Sequence, residues 1–337
     1  MHNFAKLIGK NMKKYRIGII GAGHIARKMA TTLAQMPVAE CYAIASRNLA
    51  RAEAFRQEFG IVRAYGSYEE LVADPQVDLV YIATPHTLHY AHARLCILHG
   101  KPVLCEKAFM ANARQAEDIL ELAHRRRVFI TEAIWTRYMP LSRKMQELLQ
   151  DGAIGTPRML TANLGYAVAH KERLVSPSLG GGALLDLGVY VLNFAAMAFG
   201  PDVVRTLSAC IKTDSGVDAQ DSITLFYPGE RMAQLSCSMY ARTDRQGIVS
   251  GEEGYLMVEN LNNPEAIRLI GKDYQLVEEF RAPHQITGFE YQIQASIEAL
   301  ENGWLESPYM PHAETLRIMR QMDALRDAWG VHFPCDS

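Results

Sequence analysis

YRIGIIGAGHIARKMATTLAQM, residues Tyr15 to Met36, is the stretch whose reading decides the fold. Its opening, Arg16 to Ile20, is a short β-branched apolar run of the kind a buried parallel strand uses. It leads straight into Gly21-Ala22-Gly23-His24-Ile25-Ala26, a G-x-G-x-x-A loop. A helical pattern follows, with Ile25, Met29, Leu33 and Met36 on one face. Strand, glycine turn and helix start, in that order, suit a dinucleotide. Gly21 permits the tight turn, Gly23 lets a pyrophosphate approach the backbone, and Ala26 allows close helix–strand packing. Unpaired N–H groups at the helix start, around His24 and Ile25, would face the phosphates. The alternative is an ordinary strand–helix turn whose glycines serve geometry alone. The context favours the nucleotide site.

The rest of the chain agrees with a globular, two-domain protein. It has 337 residues, 49% of them hydrophobic and 21% charged, with a net charge of −2. That balance gives no reason to expect nucleic acid or an anionic membrane as partner. Six scattered cysteines without a C-x-x-C pair indicate a reducing, cytoplasmic compartment and no structural metal. The longest strongly apolar stretch, Val189 to Phe199, is shorter than the roughly 20 residues of a membrane helix. Met12-Lys13-Lys14 resembles a bacterial start, so residues 1–11 are expected to be dispensable.

Working outward from the glycine loop, Glu40 to Ala45 reads as a second strand ending in Ser46-Arg47. An NAD site usually places an acid here for the ribose 2′-hydroxyl. This chain instead has Ser46, Arg47 and, four residues on, Arg51, a spacing that would put both guanidiniums on one helix face to clamp a 2′-phosphate. NADP is favoured over NAD; the plain alternative is two solvated arginines. Asp78 to Ala83 is a buried strand closed by Thr84-Pro85-His86, with His89 in the following helix. Pro102 to Cys105 is another, delivering Glu106-Lys107 to the same carboxyl edge, where ligands of such sheets bind. Either histidine alone reads more readily as a surface residue, and the Glu-Lys pair as a surface salt bridge. Their shared edge argues for cofactor contact. After the strand Val128 to Ala133, the segment holding Trp135 and Arg137 leaves the sheet, and the domain boundary is placed there.

These residues resemble the glucose–fructose oxidoreductase, inositol dehydrogenase and rhizopine-catabolism family. The resemblance spans nearly the whole chain from Tyr15. It rests on the G-x-G-x-x-A loop, Ala83-Thr84-Pro85 with His89, Glu106-Lys107, and Gly180-Gly181-Gly182-Ala183-Leu184-Leu185-Asp186-Leu187-Gly188-Val189-Tyr190. Within the family the chain resembles the NADP-dependent branch acting on trans-dihydrodiols and D-xylose. The supporting residues are Glu132 to Tyr138, Ser46-Arg47 with Arg51, tyrosine at 190, and Tyr309 to Thr315. One departure is Ala108, where the family usually has proline after Glu-Lys; a small geometric change is expected there.

The expected fold class is α/β. An N-terminal Rossmann doubly wound parallel sheet (residues 15–135, after an extension 1–14) precedes a C-terminal α+β domain (136–337) with an open, mainly antiparallel sheet. In the run from Met232 to Tyr240, Ala233, Leu235, Cys237 and Met239 alternate with polar residues, the pattern of a sheet buried on one face. Its other face is expected to carry a homodimer or higher homo-oligomer, as the resemblance implies. The three glycines at 180–182 suit either a ligand passing close by or a tight loop.

The resemblance assigns Lys107, Asp186 and Tyr190 to catalysis. Read as a helix, Asp186 and Tyr190 lie four apart on one face; an amphipathic core tyrosine and a dipole-stabilising aspartate are the plain alternative. Cofactor contacts are expected from Gly21, Gly23, His24, Ile25, Ser46, Arg47, Arg51, Thr84, Pro85, His86, His89, Glu106, Lys107, Trp135 and Arg137. The implied activity is hydride transfer between NADP and an aldose C1, cyclic polyol or trans-dihydrodiol, with Tyr190 as acid/base. Because an isolated phenol has a pKa of about 10, Lys107 is expected to lower it. The alternatives are a catalytically silent NADP sensor and an inositol or keto-sugar dehydrogenase. No metal is required.

Overall fold

The structure is a computed structural model that describes residues 14–336; the expectation about residues 1–11 lies outside these. Six strands form a parallel sheet: β1 (Tyr15–Ile20), β2 (Ala39–Ala45), β3 (Arg63–Tyr65), β4 (Leu79–Ile82), β5 (Val103–Glu106) and β6 (Ile130–Ala133). Their order is β3-β2-β1-β4-β5-β6. The order reverses between β1 and β4, which opens a crevice above the glycine loop. Every residue of β4, β5 and β6 is buried, as strands covered on both faces require. The first helix, His24–Leu33, packs Ala26, Met29, Ala30 and Leu33 on the sheet. It ends before Met36, and Ile25 is only half-buried. Asn48, Ser67 and Asn112 begin later helices by accepting the N–H of Arg51, Glu70 and Gln115.

The second sheet contains β7 (Pro157–Gly165), β8 (Arg205–Lys212), β9 (Asp218–Tyr227), β10 (Arg231–Ser238), β11 (Gly247–Gly251), β12 (Gly254–Glu259), β13 (Ala266–Gly271) and β14 (Leu276–Arg281). Their order is β14-β13-β12-β11-β7-β10-β9-β8. All neighbours are antiparallel except β7 and β10. Leu160, Ala162, Ala233, Leu235, Ile223 and Leu225 face inward under the helices. Met159, Leu207 and Ile211 stand exposed on the outer side.

Among the elements not read from the sequence are β3, β11, the helix Pro140–Gln150 and the short helix Glu172–Val175. β14 begins only at Leu276, and Tyr274 just before it takes a left-handed conformation (φ 61°). The apolar run is also longer than Val189 to Phe199. Pro177–Phe199 covers 23 residues and is apolar enough to cross a bilayer by composition alone. Burial of 89% of its apolar window inside the protein accounts for that apolarity.

The turn Trp135–Tyr138 leads from β6 towards the second sheet. The chain then returns. The helix His312–Trp329 bonds the first half through Ala113 N to Asp323 Oδ2 (2.7 Å) and the second sheet through Trp329 Nε1 to Ser208 Oγ (3.0 Å). This helix therefore bonds both halves of the chain.

Candidate active site

At the helix His24–Leu33, the cap residue Gly23 offers no side-chain acceptor and the first turn holds no acid. Its leading N–H groups lack a side-chain cap. A Cβ at Gly23 would meet only the Ala83 carbonyl oxygen, at 3.9 Å, so the backbone there is bare and open. Gly21 takes φ +98°. Unpaired donors, bare backbone and a helix N-terminus fit a dinucleotide pyrophosphate.

The two arginines are arranged differently from the sequence reading. Asn48 caps the helix Leu49–Phe59, so Arg47 precedes that helix and shares no helical face with Arg51. Arg51 Nη2 donates to the Ala22 carbonyl (2.9 Å) and ties the helix to the glycine loop. Arg47 interacts with the Tyr68 hydroxyl and lines a cleft of about 520 Å³ with Tyr68, His92 and Leu95. Ser46 Oγ accepts the Asn48 N–H (3.3 Å).

The carboxyl ends of β4 and β5 carry the remaining nucleotide-side candidates. Thr84 Oγ1 bonds His92 Nδ1 (3.0 Å), and Pro85 begins the helix His86–Leu98. His89 is fully buried, with ring nitrogens against the carbonyls of Thr84 (2.8 Å), Ala108 (3.0 Å) and Phe109 (3.1 Å). Both nitrogens are committed to backbone, so His89 shapes the loop instead of touching a cofactor. His86 faces the Gly180 carbonyl (2.9 Å) and the Lys107 carbonyl (3.1 Å), and burial pushes its pKa down to about 3. This neutral ring joins the two halves. Glu106 is buried and accepts the Tyr81 hydroxyl; burial raises its pKa. Its neighbour pairs elsewhere. The peptide Lys107–Ala108, where the family pattern has proline, is cis.

Lys107 Nζ donates to the Asp186 carbonyl (2.6 Å) and to Asp186 Oδ1 (3.1 Å). The two side chains are only 13% and 12% exposed. The same ammonium lies 4.9 Å from the Tyr190 ring centroid. Tyr190 OH accepts a hydrogen bond from Trp135 Nε1 at 2.7 Å. One cluster thus draws on the first sheet, the connecting turn and the second half. Asp186 and Tyr190 are not set by regular α spacing: Leu184–Gly188 is a π-turn, and the α-helix resumes at Val189.

The electrostatics also differ from the sequence reading. Burial opposes ionisation of Asp186, but Lys107 and Arg173 outweigh it and hold the carboxyl below its usual range. Burial pushes the Tyr190 phenol well up, Glu106 and Asp186 add to this, and the Trp135 N–H works the other way. The expected lowering by Lys107 is not what the geometry gives, because that ammonium sits over the ring and pairs with Asp186. Tyr190 is therefore a protonated phenol.

The glycines at 180–182 answer to protein contacts. Gly180 takes φ +68° with His86 Cβ 3.0 Å from its Cβ position; a Cβ at Gly181 would lie 2.7 Å from the Leu174 carbonyl, and at Gly182 it would strike the Asp218 carboxylate. The tight-loop reading accounts for all three. Arg137 is also redirected: its buried guanidinium binds Asn193 Oδ1 (2.5 Å) and Glu314 Oε2 (2.7 Å), so it braces the junction instead of holding cofactor.

Three neighbours escaped the sequence reading. Arg173 reaches Asp186 Oδ1 at 3.1 Å. Phe289 packs edge-on against Trp135, with centroids 4.8 Å apart, and Lys28 Nζ lies 4.0 Å from the Trp135 ring and 4.2 Å from the Phe289 ring. Arg173 lies in the Ser/Pro/Gly-flanked segment before Asp186, the one local signal for any of them.

A parallel nucleotide-binding sheet with a lysine at its carboxyl edge, facing an aspartate and a tyrosine from a second sheet, is the arrangement of a nicotinamide-dependent oxidoreductase. Residues 15–133 match the oxidoreductase family with NAD-binding Rossmann fold, and residues 142–257 match the GFO/IDH/MocA C-terminal domain. The chain belongs to the GFO/IDH/MocA family. The trans-1,2-dihydrobenzene-1,2-diol dehydrogenase of Mus musculus is 36% identical over 335 residues, covering 95% of this chain and 98% of that protein. Its Homo sapiens counterpart is 35% identical with the same coverage. Among solved structures, a 3-ketoreductase from Actinomadura kijaniata in complex with NADP and TDP-benzene matches with TM-score 0.85 and 27% identity, over 94% of this chain and 98% of that one. The aldose–aldose oxidoreductase from Caulobacter crescentus shares the fold at TM-score 0.84 and 22% identity, over 94% and 97%. The chain is an NAD(P)-dependent oxidoreductase acting on CH–OH groups. The silent-sensor alternative gives way to dehydrogenase relatives matched along their whole length.

Proposed function

We propose that the protein is an NADP-dependent dehydrogenase of a trans-dihydrodiol, a cyclic polyol or the anomeric carbon of an aldose. Lys107, Asp186 and Tyr190 carry the chemistry. The observation that carries the reading is the contact of Lys107 with Asp186 and the Tyr190 ring, with Trp135 on the phenol. The names of the relatives support the substrate class, and Arg47 on its open cleft supports the 2′-phosphate. When bound, NADP supplies the hydride acceptor.

The chain's own residues do the rest. Lys107, held by Asp186, donates to the reacting oxygen. Tyr190 exchanges the proton with that oxygen. An indole N–H is only a donor, so Trp135 leaves the phenolic O–H free to point elsewhere. The resting phenol is thus in the state that donates to a carbonyl; in oxidation the Trp135 N–H stabilises the phenolate that takes the proton.

The exposed apolar residues Met159, Leu207 and Ile211 on the outer sheet face support a homodimer. Light scattering of the purified protein tests it, and a monomer at micromolar concentration would sink it. All six cysteines are free thiols, in keeping with a cytoplasmic location. The functional test is absorbance at 340 nm with NADP, and separately NAD, against D-xylose, D-glucose, myo-inositol and a trans-dihydrodiol. NADP-linked turnover of the dihydrodiol or D-xylose is expected. Turnover with NAD alone would refute the cofactor assignment.

A further inference from the structure

Beneath the π-turn that carries Asp186 lies a second pair of acids, both buried. Asp218, at the start of β9, is fully buried, and its Oδ2 accepts the Leu184 N–H at 2.5 Å. Its Oδ1 fills the space a Cβ at Gly182 would need, and Gly182 has φ +124°. Asp221, further along β9, is 4% exposed and lies directly across from Cys237 on β10. The Cys237 thiol donates to Asp221 Oδ2 at 2.9 Å. The same sulfur is 3.3 Å from the Cβ position of Gly188, the last residue of the π-turn. One network therefore touches the turn at both ends, at Leu184 through Asp218 and at Gly188 through Cys237.

The remaining oxygens, Asp218 Oδ1 and Asp221 Oδ1, have no hydrogen-bond partner. Burial together with the neighbouring Asp218 pushes the Asp221 carboxyl up to about 9, and burial raises Asp218 as well. Neighbouring buried carboxylates cannot both ionise; a single proton shared by the two would satisfy both orphaned oxygens. Asp218, which accepts an amide N–H, is the anion, and Asp221 is the donor. An apolar pair of similar volume would fill this space without the desolvation cost. What the acids add is a fixed acceptor at the first amide of the turn.

We propose that the Asp218–Asp221 carboxyl pair is a clamp that fixes the Leu184–Gly188 turn and thereby positions Asp186 against Lys107 and Tyr190 against Trp135. Both are positioning residues. The proposal rests on the catalytic assignment of Asp186 and Tyr190. It explains why Gly182, two residues before the turn, is a glycine that no side chain can replace, and why the turn departs from α geometry where it carries Asp186.

Asp221→Asn retains a donor toward Asp218, whereas Asp221→Ala removes it, and Asp218→Ala removes the acceptor of the Leu184 amide. Asp221→Asn should keep kcat within about threefold, and the two alanine variants should lower it about thirtyfold or more, with NADPH affinity by fluorescence unchanged. In a Tyr190→Phe background, Asp218→Ala should cost less than about threefold, because a residue acting through Tyr190 has little left to disturb. Full multiplication of the two losses, or equal losses for Asp221→Asn and Asp221→Ala, would overturn the clamp. Should Asp218→Ala fail to fold, the comparison of the two Asp221 variants decides alone. Hydrogen exchange of the peptide spanning residues 183–190 needs no substrate. Faster exchange confined to that segment in Asp221→Ala supports the clamp even if no sugar or diol on the panel turns over, a result that would refute the substrate assignment instead. Unchanged exchange there overturns the clamp whatever the panel gives.

Discussion

Replacing Trp135 with phenylalanine removes one hydrogen bond and leaves an aromatic ring against Phe289. The bond lost is the 2.7 Å N–H donation to the Tyr190 oxygen. A donor stabilises the phenolate more than the phenol, so its loss raises the Tyr190 pKa; the Trp135 contact is the one that opposes burial there. Hydrogen bonds to charged groups contribute about 1.5–3 kcal/mol, and one pH unit corresponds to about 1.4 kcal/mol. The rising acid side of the oxidation profile should therefore move about 1–2 pH units toward alkali, and oxidation at pH 7 should slow about 10- to 100-fold. With cofactor affinity unchanged, the equilibrium constant fixes the ratio of the two directions, so reduction slows by the same factor. The assay is kcat/KM against pH at saturating NADP, with the melting temperature measured in parallel. A uniform loss at every pH, with the profile unmoved, would show that the indole only packs and that the Tyr190 assignment lacks its electrostatic support.

Lys107→Ala should lower kcat about 10²- to 10⁴-fold while NADPH still quenches tryptophan fluorescence, since the lysine pairs with Asp186 and not with the glycine loop. Retention of near-normal kcat in that variant would remove the mechanism. Arg47→Ala should cut the NADP-over-NAD preference about tenfold or more, while Arg51→Ala, which frees the Ala22 carbonyl, should weaken both cofactors alike; paired titrations with the two cofactors distinguish them. Asp186→Asn leaves a buried ammonium without its anion and should cost about 3 kcal/mol, the low end for a broken buried pair because Arg173 is half-exposed. Its carboxyl is depressed in the folded state, so that stability is present above the unfolded value of about 4 and is lost as pH falls through the folded one. Denaturant melts of wild type and variant should accordingly differ most above about pH 5 and converge in acid. Arg137→Met should lower the melting temperature while leaving the cofactor KM unchanged; a change in KM alone would return Arg137 to the cofactor site.

What the sequence made legible was local. The strand, glycine loop and helix from Tyr15 to Leu33 are encoded within one short window, and the structure follows it. The alternation in β10 likewise survives, with Ala233, Leu235 and Cys237 buried. The local sequence misleads where its signals are faint or absent. Asn48 is a ready cap for the helix at Leu49, and heeding it would have separated Arg47 from Arg51. Pro140 at the first helical position announced the helix Pro140–Gln150. No such signal marks the π-turn, because Leu184, Leu185 and Leu187 suit either helix type and the contacts at its two ends come from Asp218 and Cys237 on other strands. His89 and Arg137 carry polar groups that look available in a sequence. The structure commits them to backbone carbonyls and to Asn193 and Glu314, partners remote in the chain.

The placement of the cluster explains why its parts are so dispersed. Lys107 stands at the end of β5 in the nucleotide-binding sheet, and its anion comes from the other half. Without Asp186 it would be an ammonium largely cut off from water and lacking the charge that justifies its burial. Tyr190 is in the converse position: its partner Trp135 leaves the first sheet just after β6. His86 adds a third crossing, with the Lys107 carbonyl on one ring nitrogen and the Gly180 carbonyl on the other. A neutral imidazole donates to only one of these, so this crossing is the weakest of the three and the charged pair must carry most of the register. With Lys107, Asp186 and Tyr190 as the proposed catalytic set, the same contacts would supply both catalytic geometry and cohesion of the two halves. A substitution that breaks Lys107 from Asp186 cannot be purely catalytic, and one that loosens the junction cannot be purely structural.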